Sequence, residues 1–389
     1  MSENTAEAKT ARVIAALENR EPDRVPVGEF FWTNFMRRAK KELGLGDDFN
    51  PYAHWDLDMI VINPNMDPRI TGIEIVENTP ERRVVKTGFG ATIEQRSHYP
   101  MPSYAGFETQ TYDEIEALEF EDPLDPRRYK EAILDQINSV VDTLNLEYPS
   151  FADRVAANVD SMCVFGSVCE PHELLWRIIG TENALMKIAE DPDFMAGFIE
   201  RIGDFLAGIV EGQIAAADGA LKGIYVWGDV AYDNGMFFSP DYWRRAYKPQ
   251  LVKICDAAHA HGLKTIYHGC GDASVLFEDM IEAGVDAYNP LEAKAGLDVV
   301  DLKRKFGDRW AFNGNIDVRV LSTNDKEKVR REVLTKLNAA KGGGFILQSD
   351  HSVPDSVSAD TYSYMIELVR RHGVYPLDLG EFDEDVGVS

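Results

Sequence analysis

The chain has 389 residues, 44% hydrophobic and 27% charged, a globular composition that excludes a mainly disordered polymer. Its 66 acidic residues outnumber its 40 basic ones, leaving a formal net charge of −26. That charge, with no dense Lys/Arg block, argues against a nucleic-acid partner.

No run approaches the roughly 20 apolar residues of a membrane helix. Residues Met1 to Lys9 lack an apolar signal core. Four cysteines in so long a chain are no disulfide framework. A cytoplasmic protein with reduced thiols is expected. The length suits two or three ordinary domains, or one large α/β barrel with insertions.

In chain order, residues 6–19 read as a helix with Ala11, Val13, Ile14 and Leu17 on one side. Glu21-Pro22-Asp23-Arg24 breaks it, and Val25 to Phe30 reads as a short buried strand. A second apolar run, Met59 to Ile62, ends at Asn63-Pro64-Asn65. Residues 72–98 are short alternating segments with a hairpin break at Thr87-Gly88-Phe89-Gly90, and are expected to form an antiparallel insertion. Residues 100–125 read as loop and 127–145 as helix.

From about 155 the pattern is regular. Strands are predicted at 160–166, 222–228, 263–268, 285–289, 310–314 and 344–348. Helices are predicted at 171–216 in pieces, 240–261, 273–283, 298–306, 325–340 and 359–372. Alternation of this kind builds parallel βαβ units. With the two early strands there are about eight units, the number of a closed (β/α)8 TIM barrel. The expected architecture is one barrel over 1–389, with an N-terminal helical segment and the 72–98 insertion. A doubly wound open sheet is the alternative, but neither GxGxxG nor GxxxxGK[ST] is present.

A parallel barrel carries its chemistry at the C-terminal ends of its strands. Those ends hold Glu29, Asn63 and Asn65, Glu170, Asp229, His268 with Cys270, Glu292, Asn315 with Asp317, and Asp350 with His351. The sharpest feature is Tyr267-His268-Gly269-Cys270-Gly271-Asp272. A His-x-Cys pair after a strand puts imidazole and thiol on one rim, the N and S donors zinc favours. A half-buried His and a core Cys beside a glycine turn would look the same. His351 is the best third donor, with Asp350, Asp229 and Glu292 as oxygen alternatives. Cys163, Cys169 and Cys255 read as buried small hydrophobes. His259 and His261 are expected to interact with a helix C-terminus. Phe30, Phe31, Trp32, Trp227, Tyr232 and Phe237 gather near the rim, where they would suit a flat apolar or aromatic ligand.

Several motifs together resemble the uroporphyrinogen decarboxylase superfamily. They are Pro22-Asp23-Arg24-Val25-Pro26, Trp227-Gly228-Asp229 followed by Phe238-Ser239-Pro240-Asp241, His268-Gly269-Cys270-Gly271, Phe306-Gly307-Asp308, Asn313-Gly314-Asn315-Ile316-Asp317 and Gly342-Gly343-Gly344-Phe345-Ile346. Their order fits nearly the whole chain, best from 220 to 375, and implies a (β/α)8 barrel. The tetrapyrrole decarboxylases of the superfamily carry an Arg-Gln-Ala-Gly-Arg loop after the first strand. Here Glu29-Phe30-Phe31-Trp32-Thr33-Asn34-Phe35-Met36-Arg37-Arg38 stands in its place.

The other branch, the zinc- and corrinoid-dependent methyltransferases, looks closer. Its members bind zinc through His-x-Cys and a later Cys. His268 and Cys270 match the pair, but the later Cys is absent from Gln348-Ser349-Asp350-His351-Ser352-Val353-Pro354, so His351 is expected to replace it.

The resemblance implies methyl transfer to cob(I)alamin from a small methylated donor, here read as a methoxylated aromatic undergoing O-demethylation. Glu29, Asp229 and Glu292 would be the acids. Phe31, Trp32, Trp227, Tyr232 and Asn65 would hold the ring. The chain has no Asp-x-His-x-x-Gly corrinoid motif, so the cobalamin is expected from a partner protein. A metal-independent decarboxylase or lyase is the alternative activity, and a non-catalytic metal- or corrinoid-binding barrel a further one. A homodimer is the default by base rates, and Glu381 to Ser389 reads as a solvated tail.

Overall fold

The computed structural model describes residues 4–70, 74–96, 102–131 and 149–379. Seven strands form one parallel sheet: β1 (Met59–Val61), β6 (Cys163–Cys169), β7 (Gly223–Trp227), β10 (Lys264–His268), β11 (Ala287–Asn289), β12 (Ala311–Ile316) and β13 (Phe345–Ser349), neighbours in that order. The intervening numbers belong to an antiparallel sheet of β2 (Glu74–Asn78), β3 (Arg82–Lys86), β4 (Ala91–Arg96) and β5 (Ser103–Phe107), and to a small hairpin of β8 (Ala231–Tyr232) and β9 (Gly235–Met236).

Segment 25–28 closes the parallel sheet. On one side Leu347 N donates to Pro26 O at 2.9 Å and Gly28 N to Leu347 O at 3.1 Å; on the other Asp58 N donates to Val27 O at 2.9 Å. This is the eighth strand, and the fold is the expected (β/α)8 barrel. The Pro-Asp-Arg-Val-Pro block has a mechanical reason here. The Asp58 carboxylate, fully buried, accepts Val27 N at 2.7 Å and Arg24 at 2.7 and 2.8 Å, and also takes Arg12 Nη1. Arg12 in turn holds Asp23 at 2.7 and 2.6 Å.

The barrel strands are apolar throughout because both faces are covered. Inside, Met59, Phe165, Tyr225, Ile266, Ala287, Ala311 and Ile346 meet Val13, Ala16 and Leu17 of helix Ala6–Leu17, which plugs the barrel. Outside, the strands pack on the helices of each βα unit. Cys163, Cys169 and Cys255 are fully buried, as expected.

Several expectations change. Residues 100–125 are not simply loop. They contain β5, which extends the antiparallel sheet past 98, and helix Tyr112–Ala117 with its Thr111/Glu114 capping box. β5 is held by tertiary contacts: Tyr104 packs edge-on to Trp176, far along the chain. Helix Thr33–Leu43, which is not among the elements expected from sequence, buries Phe35 and Ala39. His259 stands in the last turn of helix Lys248–His259, as expected, and it and His261 also bond the carboxylates of Asp286 and Glu211, each at 2.9 Å. Residues 72, 73, 97 and 98 of the expected insertion, 132–145 of the expected helix, and the tail from Glu381 lie outside the described residues. Among the described residues no helix is long and apolar enough to cross a membrane.

Candidate functional site

His268 ends β10, and Cys270 follows in a turn that only glycine completes easily. Gly271 has φ +77°, and a Cβ there would stand 2.7 Å from the main chain of Tyr232. Two carboxylates clamp this turn. Asp229, beyond β7, accepts Cys270 N at 2.7 Å, and Glu292, beyond β11, accepts Gly271 N at 2.7 Å. His351 arrives from beyond β13. Donor atoms of Asp229, His268 and Cys270 lie within 4.8 Å of one another, and so do those of Cys270, Glu292 and His351. Cys270 joins the two groups, and its Sγ is 3.7 Å from His268 Nε2. Five side chains from four strand ends thus converge.

Burial makes this group electrostatically uncomfortable. It raises the Asp229 carboxyl, helped by the charge of Glu292. It lifts the Cys270 thiol well above its usual range, with Asp229 and Glu292 adding to the effect. It pushes His268 down to about 4. The nearest cation, Lys294 Nζ, is 3.5 Å from Glu292 Oε1 and is shared with Asp233. A divalent cation would relieve all three strains at once. The set of two imidazoles, one thiol and flanking carboxylates is the N/S/O chemistry that suits zinc, so the residues fit that ion.

A chain of amides orients His268. Its Nδ1 lies 2.6 Å from Asn289 Oδ1. Asn289 Nδ2 donates to Asn313 O at 2.8 Å and to Asn313 Oδ1 at 3.1 Å, and Asn313 Nδ2 donates to Gln348 Oε1 at 3.0 Å. With its NH2 spent on Asn313, Asn289 presents its oxygen to the ring. The neutral imidazole therefore carries its proton on Nδ1 and leaves Nε2 bare towards Cys270. Sequence reasoning missed Asn289, Asn313 and Gln348. The available signal was a polar amide in each of three largely apolar strands.

Aromatic rings flank the imidazoles. Trp227 meets His268 edge-on with centroids 5.0 Å apart, and Trp32 stacks on His351 at 5.9 Å. Phe30 lies 5.0 Å from Trp227, whose Nε1 donates to Asn63 Oδ1 at 3.1 Å. Tyr232 stands half-exposed on the β8–β9 hairpin and stacks on Phe237 at 5.9 Å.

Two expected ring-holders are elsewhere. Phe31 packs against Phe35, Trp55 and Tyr362, because successive side chains of an extended segment face opposite ways. Asn65 caps Asp67 N at 2.9 Å and faces Arg128.

Glu29 accepts Phe30 N at 3.0 Å and lies 2.5 Å from Ser349 Oγ, which is also 2.5 Å from His351 O. Ser349 has one proton and the carbonyl only accepts, so Glu29 is the donor in a carboxylic acid form. Burial raises it to about 8, in agreement. Other strand-end polar residues tie loops together. Asp350 accepts Ala293 N and Val318 N, each at 2.9 Å. Asn315 donates to Leu291 O and Leu297 O, at 2.6 and 2.9 Å, and Asp317 caps helix Val318–Ser322. Glu170 is fully buried, its Oε1 without a partner, and is raised to about 8 by burial.

The family model for uroporphyrinogen decarboxylase (URO-D) matches residues 83–372. Among curated proteins, a uroporphyrinogen decarboxylase of Streptomyces griseus subsp. griseus is 29% identical over 182 residues, 46% of this chain and 46% of that protein. One from Methylococcus capsulatus is 28% identical over 182 residues, 46% of this chain and 49% of that protein. The chain thus spans about half the length of the curated relatives it matches. Among solved structures, a methyltransferase from Methanosarcina mazei superposes with a TM-score of 0.62 at 15% identity, covering 93% of this chain and 98% of that one. That likeness is one of fold.

Proposed function

The chain belongs to the uroporphyrinogen decarboxylase family, and within it we propose that it is a zinc-dependent methyltransferase acting on a small methylated donor, a methoxylated aromatic. The acceptor is the cobalt of a corrinoid carried by a partner protein. The observation that carries this reading is the pair of overlapping donor groups, Asp229 with His268 and Cys270, and Cys270 with Glu292 and His351, which share the Cys270 thiol. The Methanosarcina mazei protein of the same barrel is described as a methyltransferase, which agrees with it.

In this reading His268, Cys270 and His351 hold zinc, which when bound supplies Lewis acidity to the ether oxygen. The residues do the rest. Asn289 keeps His268 in its ligating tautomer. Trp32, Trp227 and Phe30 wall the donor ring. As the CH3–O bond breaks, oxygen leaves with the bonding pair and takes a proton. Asp229, whose carboxyl is raised by burial, is the best-placed donor, with Glu292 beside it. Glu29, bonded to Ser349 and reached by Tyr362 OH at 3.3 Å, acts instead through the loop that carries His351. The protein is read as cytoplasmic, with a homodimer as the default assembly.

A metal-independent decarboxylase is the second reading, favoured by the names of the curated relatives. Against it stands the segment 29–38, which has no arginine before Arg37 to clamp a carboxylated substrate. Zinc content separates the two. The methyltransferase reading expects about one zinc per chain, lost on His268→Ala/Cys270→Ala, with methyl transfer from a methoxyarene to cob(I)alamin lost alongside. A protein that takes up no zinc on reconstitution refutes it.

A further inference from the structure

Resting on that reading of the site, we infer that its methyl donor is uncharged, a methoxyphenol, and that the strand-end mouth rejects carboxylate and sulfonate donors. Residues 1–3, 71–73, 97–101, 132–148 and 380–389 contain no Lys or Arg, so all 40 basic residues lie in the described part of the chain. The loops carrying the cluster are almost free of them. Stretches 228–243, 269–286 and 350–369 have none, and Lys294 is alone after β11.

In the segment that follows strand 25–28, Arg38 holds Glu42 at 2.6 Å and Arg37 bonds Asn34 Oδ1 at 3.1 Å, and other basic residues near the strand ends are engaged as well. Lys294 is shared by Asp233 at 3.2 Å and Glu292 at 3.5 Å. Arg177 holds Glu173 at 2.5 Å, Arg319 holds Asp317 at 2.7 Å, and Arg69 holds Glu108 at 2.7 Å. Arg128 donates to Asp67 O at 2.7 Å and Glu121 O at 3.0 Å, and Arg154 to Asn63 O at 2.6 Å.

Negative charge, by contrast, is abundant. Glu292 and Asp350 are buried carboxylates at strand ends, and Asp233, Glu173 and Asp317 stand with the few cations there. An anionic donor would give up its hydration and gain no free cation, while facing these carboxylates. One divalent ion offsets only the thiolate and one carboxylate around it. The whole chain, at −26, repels the same ligands at longer range. An uncharged ring bearing a methyl ether meets none of these penalties, and Trp227, Trp32 and Phe30 offer it aromatic surface.

The test is equilibrium binding to the zinc-reconstituted protein by calorimetry. The ligands are 2-methoxyphenol, 4-hydroxy-3-methoxybenzamide, 4-hydroxy-3-methoxybenzoate and 3-methoxybenzylammonium, with zinc measured on the same sample. The benzamide matches the benzoate in shape without its charge. The expected result is that the phenol and the amide bind within a few-fold of each other, and the benzoate at least about tenfold more weakly. A benzoate that binds as tightly as the amide overturns the inference. So does preference for the ammonium, or zinc-loaded protein that binds none of them. A sample that takes up no zinc fails the proposed function instead, so the two failures are distinguishable.

Discussion

Asn289→Ala should weaken zinc binding about 10- to 100-fold while leaving every proposed metal ligand in place. Asn289 is fully buried and accepts the His268 Nδ1 proton at 2.6 Å. The truncated variant leaves that N–H without a partner where water has no access, a cost of about 1–3 kcal/mol. The imidazole then recovers part of this loss by turning, which takes Nε2 away from Cys270 Sγ, now 3.7 Å off, or by changing tautomer, which puts the proton on Nε2 and blocks its lone pair. A loss of about 1.4–2.8 kcal/mol in zinc affinity is the same 10- to 100-fold. The assay is chelator competition on folded protein, with circular dichroism to confirm the fold. Asn289→Asp is the control, since it keeps an acceptor for the ring and loses only the donor to Asn313. It should hold zinc within a few-fold of the parent. An alanine variant that binds zinc within twofold of the parent would refute the idea that this amide chain sets the His268 tautomer.

Other outcomes follow from the same physical chemistry. Asp58→Ala leaves the Arg12 and Arg24 guanidinium groups without their shared buried carboxylate, so it should cost about 3–5 kcal/mol. For a chain of this size that is a fall in Tm of about 4–6 °C, read by calorimetry; a shift under about 1 °C would mean the barrel closure does not depend on Asp58. Glu170 has a folded pKa of about 8, above its ordinary value of 4.5, so the native state keeps a proton there that the unfolded chain releases. The stability this contributes is fully present below about pH 4.5 and is lost as pH rises to 8, by up to about 1.4 kcal/mol per pH unit. Urea titrations across that window should show a shallower pH slope for Glu170→Gln; an unchanged slope would mean the carboxyl is already ionised in the native protein. Gly228→Ala places a Cβ 2.1 Å from Glu170 Cβ, and thermal melts should show a destabilisation of about 1–3 kcal/mol. A melt like the parent's would show that β7 gives way freely at that point.

The convergence of Asp229, Glu292 and His351 on Cys270 agrees with a simple rule applied to sequence: chemistry collects where parallel strands end. That rule needs only the strand periodicity and the polar residue after each run. It reached the cluster while missing the amides behind it, because Asn313 and Gln348 lie inside their strands, where a polar residue reads as an irregularity, and Asn289 is the last residue of β11, where it reads as the strand simply ending. It overreached at Phe31. In Phe30-Phe31-Trp32 three aromatics follow one another, and an extended chain sends alternate ones to opposite faces. Phe30 and Trp32 meet Trp227 and His351, while Phe31 goes to Phe35 and Trp55.

By itself the sequence determined what is local. Apolar runs alternating with amphipathic ones require a parallel βα architecture. A His and a Cys two residues apart at a strand end share a rim, because covalent geometry leaves them nowhere else. Tertiary structure alone decided what depends on pairing over long separations. Segment 25–28 becomes the eighth strand only because β13 lies on one side and Asp58 on the other. His351 reaches Cys270 only once the strands between them have closed in register. The amides bond only because β11, β12 and β13 are adjacent, with Gln348 two residues beyond Ile346, the register partner of Asn313, and so on the same face. Such contacts join residues that no short window of sequence contains, so their geometry is set by the closed barrel.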